Sequence, residues 1–181
     1  MAGKGIFALA DDLKTGKFAP AYYLHGPEHR LKDDAIRAII DAALDPSVRD
    51  FNLDVRSAAR LDAEGIESLC TTLPMMADRR VVVLREVEGW QKRAKGKAAM
   101  VAYLEKPSPD TVVVLVQGDD EKPDPDLTRS KHCTALSCDR LDAKRAAAAP
   151  PPAAGPPGGA QERAGVAHAR TDDDGRRGRT D

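Results

Sequence analysis

A glycine, a lysine and an aspartate fall within eight residues in Gly26-Pro27-Glu28-His29-Arg30-Leu31-Lys32-Asp33, directly after the apolar run Ala21-Tyr22-Tyr23-Leu24-His25. A glycine-rich turn between a strand and a helix is where backbone N–H groups hold phosphate. The pattern that does so is G-x-x-x-x-G-K-S/T, with a lysine for the β- and γ-phosphates and a hydroxyl for Mg²⁺. Only Gly26 and a displaced Lys32 match it. Pro27 has no N–H to offer, Glu28 adds negative charge where phosphate would sit, and Asp33 stands where the hydroxyl should be. A second test lies at Val83-Leu84-Arg85-Glu86-Val87-Glu88, where an NTPase would end a strand on a Mg²⁺-binding aspartate. Arg85 puts a cation there, and Glu86 reads as a solvated charge or as a partner for Arg85. No nucleotide or other cofactor is therefore expected, and a divergent P-loop NTPase stands as an alternative reading.

Other reactive residue types are thinly spread. His132, Cys133 and Cys138 could supply part of a zinc site, but four ligands are needed and the spacing is not that of paired metal-binding motifs. His25 and His29 flank the first loop without a nucleophile or positioned acid at fixed spacing. No Gly-x-Ser-x-Gly elbow or kinase signature occurs. The expectation is thus no catalytic residue and no metal ligand. Lys92, Arg93, Lys95 and Lys97 cluster beside Trp90 and could touch a nucleic-acid backbone, which gives a DNA-binding module as a further alternative. A solvated helix face beginning after Gly89 is the plainer explanation.

Leu73-Pro74-Met75-Met76 is different in kind. Pro74 stops a helix, Asp78-Arg79-Arg80 is polar, and the next apolar run starts only at Val81. Two adjacent large apolar side chains thus stand at a junction that is normally polar. They either pack beneath a sheet or enter a partner's pocket, where adaptable methionines conform well.

The surrounding elements follow from periodicity. Ile6, Leu9, Ala10 and Leu13 have helical spacing; Ala21 to His25 reads as a strand; and Leu31, Ala35, Ile36, Ile39, Ile40, Ala43 and Leu44 stripe a helix that must stop before Pro46. Phe51 to Arg56 alternates with period two, as in a half-solvated strand. Asp62 can cap a helix whose buried face is Ile66, Leu69, Cys70 and Leu73. Val81 to Leu84 and Val112 to Val116 are continuous apolar runs, as in central parallel strands covered on both faces. Met100, Val101 and Leu104 mark a helix ending before Pro107, Thr134 to Cys138 a last strand, and Asp142 to Arg145 the start of a helix. The alternation predicts an α/β domain over 1–145: three layers around a mostly parallel sheet of about five strands, with its functional edge at the carboxyl ends.

Composition changes after Arg145. Ala146 to Gly159 contains only Ala, Pro and Gly, and Val166 is the sole large aliphatic residue from there to Asp181. A disordered tail over 146–181 is expected, because so little apolar surface cannot offset chain entropy. A net charge of -1 argues for neither a nucleic-acid nor a membrane partner. Three irregularly spaced cysteines and the lack of an apolar leader or long apolar run suggest a cytoplasmic location.

Several blocks in one order carry a family resemblance: Tyr23 to Glu28, Phe51 to Asp54, Leu61 to Glu64, Leu73 to Val83, Tyr103 to Glu105 and Pro109 to Val116. Together they resemble the N-terminal domain of the bacterial DNA polymerase III delta subunit, a clamp-loader subunit. The resemblance implies a degenerate P-loop, AAA+-like first domain without a working nucleotide site. It also implies a role in DNA replication: binding the ring-shaped sliding clamp, the beta subunit, and opening it so that it can be placed on DNA. DNA would then be met through the complex. It assigns the clamp-binding residues as Leu73, Pro74, Met75 and Met76, the pair preceding an Ala-x-Arg sequence at Ala77-Asp78-Arg79; family members usually carry Leu or Phe at the pair. It ties the chain to the DNA-directed DNA polymerase holoenzyme, although no nucleotidyl-transfer site is seen. The resemblance ends near Arg145. The helical lid and the collar that would join the other loader subunits are expected to be missing, as after a frameshift or truncation.

Overall fold

The computed structural model describes residues 4–92, 94–118 and 122–139, all within one compact unit. Six parallel strands form one sheet in the order β1-β6-β2-β5-β4-β3. They are β1 (Lys4–Gly5), β2 (Ala21–His25), β3 (Leu53–Ser57), β4 (Arg80–Arg85), β5 (Thr111–Val116) and β6 (Cys133–Ser137). Every pairing is parallel. The expected sheet of about five strands is present, and β1 adds a two-residue edge.

Helices cover both faces because the strand residues alternate between two apolar layers. Tyr22, Leu24, Val81, Val83, Val112, Val114 and Leu136 face α1 (Ile6–Lys14) and α2 (His29–Ala43), where Leu9, Leu13, Ala35, Ile36 and Ile39 meet them. Tyr23, Val82, Leu84, Val113 and Leu115 face the other way, against Ile66 and Cys70 of α4 (Ala63–Thr71) and Met100 and Leu104 of α5 (Ala94–Glu105). Two short helices, α3 (Arg49–Asn52) and α6 (Pro125–Arg129), complete the set. Each fully buried Val or Leu here contributes about 1.5–3 kcal/mol, so the valine-rich β4 and β5 anchor the domain. No helix among the described residues is long and apolar enough to cross a membrane.

Most expected elements stand where the pattern put them. α2 runs to Ala43 with Leu44 as its C-cap, two residues before Pro46. The Asp62 side chain accepts a 2.8 Å hydrogen bond from the Gly65 N–H and caps α4. Two expectations fail. The strand proposed from Phe51 starts only at Leu53, because Phe51 and Asn52 close the short helix α3. Leu73, assigned to the buried face of α4, lies beyond the end of that helix at Thr71 and is exposed. The boundary at 145, the helix start at Asp142 to Arg145 and the tail over 146–181 lie outside the described residues.

Candidate functional site

All strands run in one direction, so the sheet has two chemically distinct edges. At the carboxyl edge, the parts of a phosphate loop are present but committed to one another. Gly26 has φ +109°, and a Cβ there would stand 2.8 Å from the Cys138 carbonyl oxygen, so only glycine fits. The N–H of Glu28, which would face a phosphate in a working loop, donates to that same carbonyl at 3.0 Å. Lys32 is 2% exposed, and its Nζ donates to the Gln117 carbonyl at 2.7 Å and to that of Gly118 at 3.4 Å, just past β5. Asp33, at the hydroxyl position, and Arg85, at the position of the metal-binding acid, form an ion pair of 2.8 Å. Two positions that would converge on Mg²⁺ therefore do converge, as opposite charges that neutralise each other. Glu86 is not the partner of Arg85: it accepts from the Ser57 hydroxyl, at a backbone φ of +61°. This geometry opposes phosphate binding and gives the NTPase alternative no support.

The other candidates separate in space. Cys133 and Cys138 belong to opposite apolar layers of the sheet and cannot share a metal. Burial pushes the Cys70 and Cys133 thiols up to about 12 and Cys138 to about 11, as expected for inert core cysteines. His132 Nδ1 lies 2.8 Å from the Leu104 carbonyl oxygen, and the His25 ring packs against Tyr23, with burial lowering its pKa. Among the described residues no three His, Cys, Asp or Glu side chains gather as a metal site would require. Trp90, beside the basic cluster, is buried in the layer beneath α5 and offers no ring to a base. Lys97 is held by Asp124 and Asp126, each at 2.7 Å. The chain from Val87 to Lys92 is a 3-10 segment rather than the start of a solvated α-helix, which begins at Ala94.

At the amino edge the pattern reverses. Residues 72–79 connect α4 to β4 and present Leu73, Met75 and Met76 at 73%, 53% and 79% exposure. Together with Phe51 and Val55 on α3 and β3 they are the exposed large hydrophobic residues of the described chain. Burial beneath the sheet, one of the two readings left open for the methionine pair, is thus excluded. These residues lead into β4 at its amino end, opposite the carboxyl edge at which a functional site was expected.

The loop is exposed but well tied. Asn52, wholly buried, accepts from the Met75 N–H at 2.7 Å and donates to the Met75 carbonyl at 2.8 Å. Arg79 lies with its guanidinium carbon 4.7 Å from the centre of the Phe18 ring, a cation–π contact. Arg80 donates to the Phe51 carbonyl at 3.1 Å and pairs with the Asp54 carboxylate. Met76 has φ +52°, a left-handed conformation that costs a side-chain-bearing residue about 1–2 kcal/mol. Such strain persists only where neighbouring contacts enforce it. Phe18 was not singled out in the sequence, and Asn52 and Asp54 entered only as part of the block Phe51 to Asp54, with no role assigned. The available signal for Asn52 was a polar amide where an alternating strand pattern should have begun.

Architecture and site together define a class: a parallel α/β domain whose phosphate-loop end is sealed by internal pairing and whose opposite edge displays an ordered apolar loop. The chain belongs to the DNA polymerase III, delta subunit family, which matches residues 22–138, a span containing both the Gly26 loop and Leu73 to Met76. It is 28% identical over 148 residues to the DNA polymerase III subunit delta of Bacillus subtilis, covering 77% of this chain and 43% of that protein. Among solved structures it resembles the Bacillus subtilis DNA clamp loader delta protein, with a TM-score of 0.64, 26% identity, and coverage of 77% of this chain and 44% of the other. A DNA polymerase III gamma subunit-related protein from Thermotoga maritima shares the fold, with a TM-score of 0.53 at 10% identity over 78% of this chain and 48% of that one. The chain thus spans less than half the length of each of these relatives.

Proposed function

We propose that this chain binds a sliding clamp, with Met75 and Met76 entering an apolar pocket on the ring and Leu73 and Pro74 packing beside them. The observation that carries this reading is the exposure of two adjacent methionines on a loop fixed by buried and charged anchors. Soluble proteins rarely leave clustered large apolar side chains in water unless a partner covers them. A loop already ordered also forfeits less entropy on docking. Membership of the delta family supports the choice of partner, and the match to a clamp loader delta protein supports a place in DNA replication. On the same ground we assign the chain to the cytoplasmic clamp-loading machinery, with the other loader subunits and DNA reached through that complex.

The role we propose involves no catalytic step: in the segment Gly26 to Asp33, Lys32 is engaged by the carbonyls after β5 and Asp33 by Arg85. Equilibrium titration of the full chain against a purified sliding clamp tests the proposal. Binding by the wild type and its loss in the Met75→Ala, Met76→Ala double variant are expected. Undiminished binding by the double variant would reject the assignment.

A further inference from the structure

We infer that Asn52 is the positioning residue of the docking loop, holding Met75 and Met76 in the geometry that a partner reads; the inference rests on the clamp-binding reading above. Asn52 is separated from Met75 by 23 positions, yet its amide meets both polar groups of that residue's backbone. Its second N–H donates to the Val48 carbonyl at 2.9 Å, so the loop is tied to α3 through one buried side chain. Two donors and an acceptor are all in use, and no other residue type supplies them at this reach. Aspartate would present lone pairs to two carbonyls, while leucine would leave the Met75 N–H and C=O without partners.

What this grip secures is presentation. Met76, directly after the gripped residue, sits in the left-handed region. A freed loop would relax from that conformation. Phe51 also stands exposed just before β3, so a slack loop could fold its methionines toward it rather than offer them to a partner. A pair held outward docks without first being ordered, which is where preorganisation raises affinity.

The experiment measures two quantities on the full-length chain: amide hydrogen exchange at Met75 and affinity for a purified sliding clamp. Asn52→Ala is expected to remove protection at the Met75 amide while β4 and β5 amides stay protected, and to weaken clamp binding about tenfold. In the Met75→Ala, Met76→Ala background the same substitution should have no further effect on affinity. Asn52→Gln, which keeps the amide on a longer arm, gives the same two readouts if the alanine variant does not fold. Unchanged Met75 protection, or wild-type affinity despite lost protection, would overturn the inference. Failure of the wild-type chain to bind the clamp while exchange at Met75 still depends on Asn52 would instead overturn the clamp reading, and with it the use ascribed to the grip.

Discussion

The two edges of this sheet solve opposite problems with similar materials. At the carboxyl edge, charged and polar groups that could have faced a ligand are turned on each other: Lys32 on the carbonyls after β5, Asp33 on Arg85, and Glu28 on the strand-end carbonyl of Cys138. At the amino edge, apolar groups that could have joined the core are kept outside, while Asn52 and Arg80 beneath them bond to the backbone of Met75 and Phe51. The edges lie a strand apart, roughly 17–20 Å for strands of five or six residues. The contrast shows that a site is recognised by what its groups leave unspent. Lys32 counts for nothing as a phosphate ligand once its ammonium is used, whereas the exposed methionines leave apolar surface for the proposed partner.

Substitutions at either edge should therefore act on different measurements. The largest effect is expected from Met75→Ala with Met76→Ala, which should lower clamp affinity by about 100-fold or more, with urea midpoint and slope unchanged because both side chains are exposed. A clear loss of stability in that variant would break the contrast. Gly26→Ala should do the reverse. Its Cβ would collide with the Cys138 carbonyl at a φ few side chains adopt, for a stability loss of about 3 kcal/mol in urea unfolding, while the folded fraction binds the clamp normally.

Lys32→Ala should cost about 2 kcal/mol through loss of its buried hydrogen bonds to the Gln117 and Gly118 carbonyls, again with clamp affinity unmoved. The smallest effect belongs to Arg85→Ala. Both partners of its ion pair are about half exposed, so the loss should stay below about 1 kcal/mol and fade further in salt. An ATP titration of this variant sharpens the comparison, because Lys32 remains committed and no gain in binding is expected. Appearance of ATP binding would show that the ion pair alone had sealed the edge.

Much of the fold was legible beforehand because its signals are local. Continuous valine runs bounded by polar residues announced β4 and β5, and the Asp62 cap marked the start of α4. The phosphate-loop substitutions were legible too, since loss of a required residue type can be read without coordinates. Phe51 and Asn52 misled for a physical reason. Apolar-polar alternation over a few residues also fits one helical turn that feeds a strand, and only contact with residues 23 and more positions away selects between them. The burial of Trp90 was not legible: a tryptophan among basic residues left a nucleic-acid module open as an alternative, and only the packing beneath α5 shows that the ring is buried.

By itself the sequence determined the α/β alternation, the departures from the phosphate-loop pattern at Gly26 to Asp33, and the anomaly of two adjacent methionines after Pro74, because each depends on residue type and spacing along the chain. Tertiary structure alone decided that the methionines face water, that they lie at the amino edge, and that Asn52 bonds to the Met75 backbone. It also decided that Asp33 and Arg85, 52 positions apart, meet as an ion pair. Exposure and pairing depend on which distant segments arrive beside a residue, and parallel strands joined by helical crossovers bring such segments together at edges that no local pattern specifies.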